Sequence, residues 1–357
     1  MNVNYRGTAA LFVVGLLIGA LTLFAAPFNA GAGPDYEVVA NGLDNPRGLA
    51  FGPEGALYVA EAGEGGDVCG IAGPEGPACF GPTGAVTRIL DGEQERVATG
   101  LSSFALQNEP GHNAFGPHDI SFQGRGGAYV AVGACFAPDL SDSCGQLVKV
   151  SAGGQWRAAG DILAWELAND PDNRNSGESN PYAVLALPGE RIVADAAGNT
   201  LLRIDANGEV SMLALFPARD EAGFLMDAVP TSIAVGPDGA YYIGELTGFP
   251  FPVGGARIYR VAPGQATQLY AEGFTNIIDL AFDGDGSLLV LEIAAQSLMS
   301  SPDGQLIRLN PDGSRETLID EGLTSPTAVA IGEDGAIYIS NYGQSPDIGE
   351  VLRFNLD

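Results

Sequence analysis

One phrase of about seventeen residues occurs six times along this chain, and that recurrence limits its possible folds more than any other feature. The phrase is clearest at residues 45–61, NPRGLAFGPEGALYVAE. Leu49 and Phe51 alternate with small residues, which is the period-two signature of a strand. Gly52-Pro53-Glu54-Gly55 supplies the punctuation of a tight turn, and Ala56 to Ala60 is the returning strand, ended by Glu61. The pattern recurs as VPTSIAVGPDGAYYIGE at 229–245, NIIDLAFDGDGSLLVLE at 276–292 and SPTAVAIGEDGAIYISN at 325–341. Two degenerate copies are GPHDISFQGRGGAYVAV at 116–132 and the shorter NPYAVLALPGERIVAD at 180–195. Gaps of 71, 63, 50, 47 and 49 residues separate the turn glycines Gly55, Gly126, Gly189, Gly239, Gly286 and Gly335. A basic residue inside a third strand repeats independently, as Arg88, Lys149, Arg203, Arg260, Arg308 and Arg353.

A unit near fifty residues with four short strands is the sequence signature of a β-propeller blade. The count therefore predicts an all-β fold, a six-bladed β-propeller of four-stranded antiparallel blades, occupying residues 33–357 as one domain. The last unit ends in its third strand, at 349–354, and the segment YEVVA at 36–40 has no partner of its own. Pairing the two would close the ring and remove both exposed sheet edges.

Residues 1–32 stand apart from the repeats. A stretch without charge follows Arg6, is most apolar from Leu11 to Phe28, and leads to Ala30-Gly31-Ala32, a small-x-small cleavage pattern. It is expected to be an export signal or, if uncleaved, a membrane anchor, with residues 7–28 the only membrane-associating segment. The 16 basic and 44 acidic residues give a net charge of −28, and Lys149 is the single lysine. Such a surface repels nucleic acid and anionic membranes and attracts cations or basic partners, while also keeping an exported protein soluble. In an exported chain, Cys69, Cys79, Cys135 and Cys144 suggest disulfides, since neither close pair has zinc-like spacing. Two local bridges, Cys69 with Cys79 and Cys135 with Cys144, are the economical pairing. A cross-pairing would instead staple the two loops together.

Insertions at 62–82, 133–145, 246–254, 293–304 and 342–348 link the second strand of a blade to its third. Those at 102–117 and 164–181 link one blade to the next. In a propeller both kinds of connection emerge on one face, so one face is elaborated, and binding usually lives on such loops. Six aligned positions end the second strands on that face: Glu61, Val132, Asp195, Glu245, Glu292 and Asn341. Together with Asp279, these hard oxygen donors could ring a divalent cation, calcium above all. The competing account is that each ties down its own loop through backbone N–H groups. The entrances to the inner strands form a second set: Arg47, His118, Tyr182, Thr231, Ile278 and Thr327, with Asp119 and Asp279 next in line and Asn180 just before. His118, one of two histidines, is a candidate general base or metal ligand, although a histidine satisfied within the fold is the plainer expectation. No nucleophile elbow, zinc-protease motif or phosphate-binding loop occurs. The loop Gly248-Phe249-Pro250-Phe251-Pro252 is expected to pack on a neighbouring blade or form an apolar contact surface.

The phrases GLDNPRGLAFGPEGALYVAEAG, GPHDISF, SNPYAV, AVPTSIAVGPDGAYYIGELTGFPFPVG and GFTNIIDLAF resemble the ScyD/ScyE family of exported bacterial proteins across essentially the whole mature chain. That resemblance implies a propeller and export, and brings no settled activity. The blade phrase also resembles NHL repeats and gluconolactonase-type propellers, which include calcium-dependent lactone hydrolases. Asn180 and Asp279 match two of their metal-binding positions, but the first-blade entrance, Asn45-Pro46-Arg47, lacks the glutamate. Quinoprotein sugar dehydrogenases are similar too, and Arg47 and His118 match the kinds of residue they use. Two functions of different class follow. One is an exported binding or scaffold propeller holding a small-molecule ligand or protein partner on the loop-rich face. The alternative is a calcium-dependent hydrolase or lactonase. The first is preferred because no complete catalytic constellation can be assembled.

Overall fold

The computed structural model describes residues 34–73, 76–124, 126–174 and 178–356. The expected export signal or anchor at 1–32 lies outside them. Six antiparallel sheets stand around a central channel, and each begins with one copy of the repeated phrase. The inner strands are Pro46–Phe51, Pro117–Phe122, Pro181–Leu187, Pro230–Val235, Ile277–Phe282 and Ala328–Ile331. Each contacts the next, and the sixth contacts the first, so the ring is closed. In blade 6 the order runs from Tyr36–Leu43 through Gly349–Phe354 and Ile337–Asn341 to Ala328–Ile331. Tyr36 lies opposite Phe354, Glu37 opposite Arg353 and Val38 opposite Leu352, so the N-terminal strand closes the ring as expected.

The apolar core is divided among the gaps between blades. Leu288 and Val290 pack toward blade 4 with Tyr242, Ile258 and Phe274. Leu289 and Leu291, on the other face of the same strand, pack toward blade 6 with Val329, Ile339 and Leu352. A blade is covered on both sides, which is why the second strand Leu288–Glu292 is buried at every position. Equivalent wedges fill the other four gaps. The turn after the inner strand needs a left-handed residue, and Gly55, Gly189, Gly239, Gly286 and Gly335 supply φ values of 73°, 85°, 75°, 86° and 80°. In blade 2 that role moves from the aligned Gly126 to Gly124, with φ 55°.

Blade 1 departs from the expected loops. Residues 62–82 were expected to be a connecting insertion, but Gly76–Leu90 runs as one long third strand paired with Val68–Gly73 and with Glu93–Leu106. Much of the expected links at 62–82 and 102–117 is therefore sheet. Its backbone groups are satisfied by continued pairing rather than by turns. Cys69 lies directly opposite Cys79 in that hairpin and bonds to it, and Cys135 bonds Cys144 in blade 2. These two bridges point to an oxidising environment. The link from blade 2 to blade 3 holds the helix Ile162–Asn169, and a hairpin of Arg219–Glu221 and Phe224–Met226 joins blades 3 and 4. Phe249 packs edge-on against Phe224 of that hairpin, with ring centroids 5.0 Å apart. Among the described residues, no helix is long and apolar enough to cross a membrane.

Candidate functional site

The elaborated face is stitched together at the same point in every blade. The residue just after the second strand donates its N–H to a carbonyl just before the inner strand, as in Ala62 to Asn45, Gly133 to Gly116 and Ile293 to Asn276. Most of the aligned second-strand ends reinforce this stitch. Glu61 accepts from Asp44 N at 2.8 Å, from the Thr87 hydroxyl, and from Arg96 at 3.0 and 2.7 Å. Asp195 accepts from Ser179 Oγ at 2.6 Å and from the N–H groups of Asn180, Ala197 and Gly198 at 2.7, 3.2 and 3.1 Å. Arg219 grips Glu245 through two bonds of 2.8 and 2.6 Å. Glu292 takes Thr275 N and Gln305 Nε2, each at 2.7 Å, and Asn341 takes Thr324 N at 2.7 Å. All five are buried. In Glu61, Asp195, Glu292 and Asn341 the oxygens tie the segment just before the inner strand of their own blade, which is the loop-tying role set out above beside the cation ring, whereas Glu245 is held by the inter-blade hairpin.

The repeated basic residues do not neutralise these acids. Arg88, Arg203, Arg260, Arg308 and Arg353 pair instead with Glu54, Glu190, Asp238, Asp283 and Asp334, in the turns at the opposite end of the blades. Lys149 lies over the Tyr129 ring, 5.4 Å from its centroid. The counter-cations actually used, Arg96 and Arg219, come from a fourth strand and an inter-blade hairpin. Neither belongs to the repeat, so no periodic signal could have found them.

The strand-entrance set divides into two groups. Inner strands have an unpaired edge, and several of these side chains satisfy the edge of the following blade. Asp119 accepts Ile120 N at 2.8 Å and Val184 N at 2.7 Å, and Asp279 accepts Leu280 N and Val329 N, both at 2.8 Å. Thr231 Oγ1 donates to Ile277 O at 2.8 Å, and Thr327 Oγ1 donates to Pro46 O at 2.7 Å. A Cβ on Gly48 would stand 2.2 Å from Asp119 Oδ1, so glycine is needed there to let the carboxylate in. Burial lifts the Asp279 carboxyl to about 7, and burial together with the charge of Asp279 lifts Asp119 well above its ordinary value.

Arg47, His118 and Tyr182 form the second group. The His118 and Tyr182 rings are 4.6 Å apart, Phe115 lies 6.2 Å from His118, and Arg47 donates to Ala114 O at 2.9 Å. Both Arg47 and His118 are buried. Arg47 Nε, His118 Nδ1 and His118 Nε2 make no well-formed hydrogen bond among the described residues, although the Pro181 backbone lies close enough to the imidazole to favour its charged form. Burial and the nearby Arg47 charge hold His118 well below its ordinary value, so the ring is neutral. Burial raises the Tyr182 phenol, which the Arg47 guanidinium opposes. Asn180 Oδ1 accepts Ala134 N at 3.0 Å. A Cβ at Gly133 would lie 2.3 Å from both Asn180 Oδ1 and His118 Nδ1. Blade 2 carries Val132 instead of a terminal acid, and the glycine after it leaves room for these two side chains. Ile278 is buried core in the gap between blades 5 and 6.

A further acidic group, unmarked in the repeats, brings carboxylate oxygens of Glu166, Asp170 and Asp172 within 4.8 Å of one another.

Fold and site together define a six-bladed propeller with a polar channel mouth. No protein-family model matches the chain, and no curated protein matches it. Solved structures do. A candidate oxidoreductase (glucose dehydrogenase) of Thermus thermophilus is similar at TM-score 0.57 and 18% identity, over 90% of this chain and 100% of that one. A candidate gluconolactonase is similar at 0.53 and 13%, over 91% and 93%. Regucalcin of Agrobacterium tumefaciens, described as a calcium-binding protein, is similar at 0.54 and 13%, over 91% and 94%. At these identities the likeness is one of fold.

Proposed function

We propose that this chain is an exported binding propeller that holds a small polyhydroxylated ligand at the channel mouth, with Arg47, His118 and Tyr182 as the contacts. The observation that carries this reading is the meeting of Arg47, His118 and Tyr182 at one place, where Arg47 Nε and the His118 ring nitrogens lack a well-formed hydrogen bond. An unmet buried polar atom costs about 1–3 kcal/mol, so such a cluster favours an occupant that supplies the missing partners. Arg47 calls for an oxygen acceptor. A neutral imidazole both donates and accepts, which suits a hydroxyl group. Most of the channel-facing carboxylate oxygens are held by backbone N–H groups, and Asn180 Oδ1 is held by Ala134 N. These oxygens already serve the strand edges, and the first-blade entrance, Asn45-Pro46-Arg47, has no glutamate to complete a metal set, so the binding reading is the better supported.

Calorimetric titration of the full chain with glucose and with gluconate tests this. Heat is expected with at least one of them, and it should be abolished by both Arg47→Met and His118→Phe. Loss of glucose heat would mark a neutral polyol site, and loss of gluconate heat a carboxylate site. The reading fails if neither compound binds, or if binding survives both substitutions.

A further inference from the structure

The helix Ile162–Asn169 rides on the link between blades 2 and 3. Asp161 caps its start by accepting Ala164 N at 2.9 Å, and Asp170 ends it in the left-handed conformation, φ 39°. Glu166 sits near that end with 4% of its surface exposed, and its Oε2 has no partner among the described residues. A Cβ at Gly198 would stand 2.8 Å from this oxygen and 3.3 Å from Asp195 Cγ, so a fourth carboxylate is close by. Asp195 is committed to its loop and contributes charge rather than a free ligand atom.

Like charges gathered this closely repel, and burial with Asp195, Asp172 and Asp170 pushes the Glu166 carboxyl up to about 8. Such a group is stabilised by a proton or by a cation. The C-terminal end of a helix carries the negative end of its dipole, which favours the cation. Asn199 Nδ2 holds Asp172 Oδ2 at 3.1 Å, and Arg174 N holds Asp172 Oδ1 at 3.1 Å, so the loop donor is already positioned.

We propose that Glu166, Asp170 and Asp172 bind a hard divalent cation, calcium by chemistry, fastening the end of the helix to the loop that follows it. The all-oxygen donor set disfavours soft transition metals. A set drawn from a helix end and a loop suits calcium's adaptable coordination better than magnesium's strict octahedron. The site is separate from the channel mouth and does not depend on what binds there.

Trp165, adjacent to Glu166, provides an antenna for terbium luminescence. Terbium added to the full chain, with excitation of tryptophan, should give sensitised emission that calcium displaces. Glu166→Gln and Asp170→Asn should each weaken terbium binding by about tenfold or more. The Gln side chain copies the protonated acid, so that variant keeps the fold, and Asp170→Asn provides an independent second arm. Absence of sensitised emission in the parent overturns the proposal, as does an affinity unchanged from the parent in both variants. Emission lost in Asp279→Asn but kept in Glu166→Gln would place the cation at the channel mouth and also overturn it.

Discussion

Glu292 allows the loop-tying role of the second-strand acids to be separated from a cation-binding one. It is 1% exposed and has one donor on each oxygen, Thr275 N and Gln305 Nε2, both at 2.7 Å. Burial outweighs those two bonds and raises its carboxyl from 4.5 to about 7. The folded state therefore keeps a proton that the unfolded chain has already released. The stabilisation is fully present below the unfolded value and is lost as pH rises through about 7. A gap of roughly two and a half units, at about 1.36 kcal/mol each, corresponds to about 3 kcal/mol. Glu292→Gln removes the titration, and the Gln305 amide can turn to face the new one with its oxygen. Near pH 5 the variant should lie within about 1 kcal/mol of the parent, and near pH 8.5 it should be more stable by about 2–3 kcal/mol. Urea denaturation at the two pH values reads this difference directly. A stability difference that is the same at both refutes the argument. If millimolar calcium stabilises the parent near pH 8.5 but not the variant, Glu292 is a cation ligand and the loop-tying account of it is wrong.

Two further outcomes follow from the same contacts. Arg219→Ala strips the counter-cation from Glu245, which is 1% exposed, and should lower stability in urea by about 3 kcal/mol, because the acid is left buried and unpaired. Deleting residues 34–43 removes the outer strand of blade 6 and exposes the edge of Gly349–Phe354; the truncated protein should lose its single cooperative melt or form oligomers on size exclusion, and a monomer melting like the parent would contradict the closure.

The ring was legible because each of its determinants is repeated. Blade number, inner and second strands and the closing strand all follow from alternation and turn glycines present in most copies. Local chemistry without a repeat was not legible. The 62–82 segment carries so many glycines that its pairing potential is hidden, yet Gly63, Gly65, Gly66 and Gly81 are there because neighbouring backbone passes within 3 Å of where a Cβ would stand. Composition that reads as loop was therefore close-packed structure. The helix Ile162–Asn169 is too short for its period to stand out, and the acids around it lie on both sides of a turn that alignment of the blades does not compare.

At the channel, repeated and unrepeated residues differ in the same way. Symmetry drew attention first to Glu61, Asp195, Glu245, Glu292 and Asn341, because they align. Four of the five solve the same local problem, closing the loop into their own inner strand, while Glu245 is held by Arg219. A ligand at the centre of a ring faces a different constraint: six identical groups around one small molecule would offer it one kind of bond. Recognition requires that the copies differ. Arg47 in blade 1, His118 in blade 2 and Tyr182 in blade 3 occupy the strand entrances where other blades place Thr231, Ile278 and Thr327. The blade that gives up its terminal acid, with Val132 followed by Gly133, is the one that brings His118 and Asn180 over a bare Cα. In this propeller the repeated positions hold the ring, and Arg47, His118 and Tyr182, which depart from the repeat, are the residues that the proposed ligand would contact.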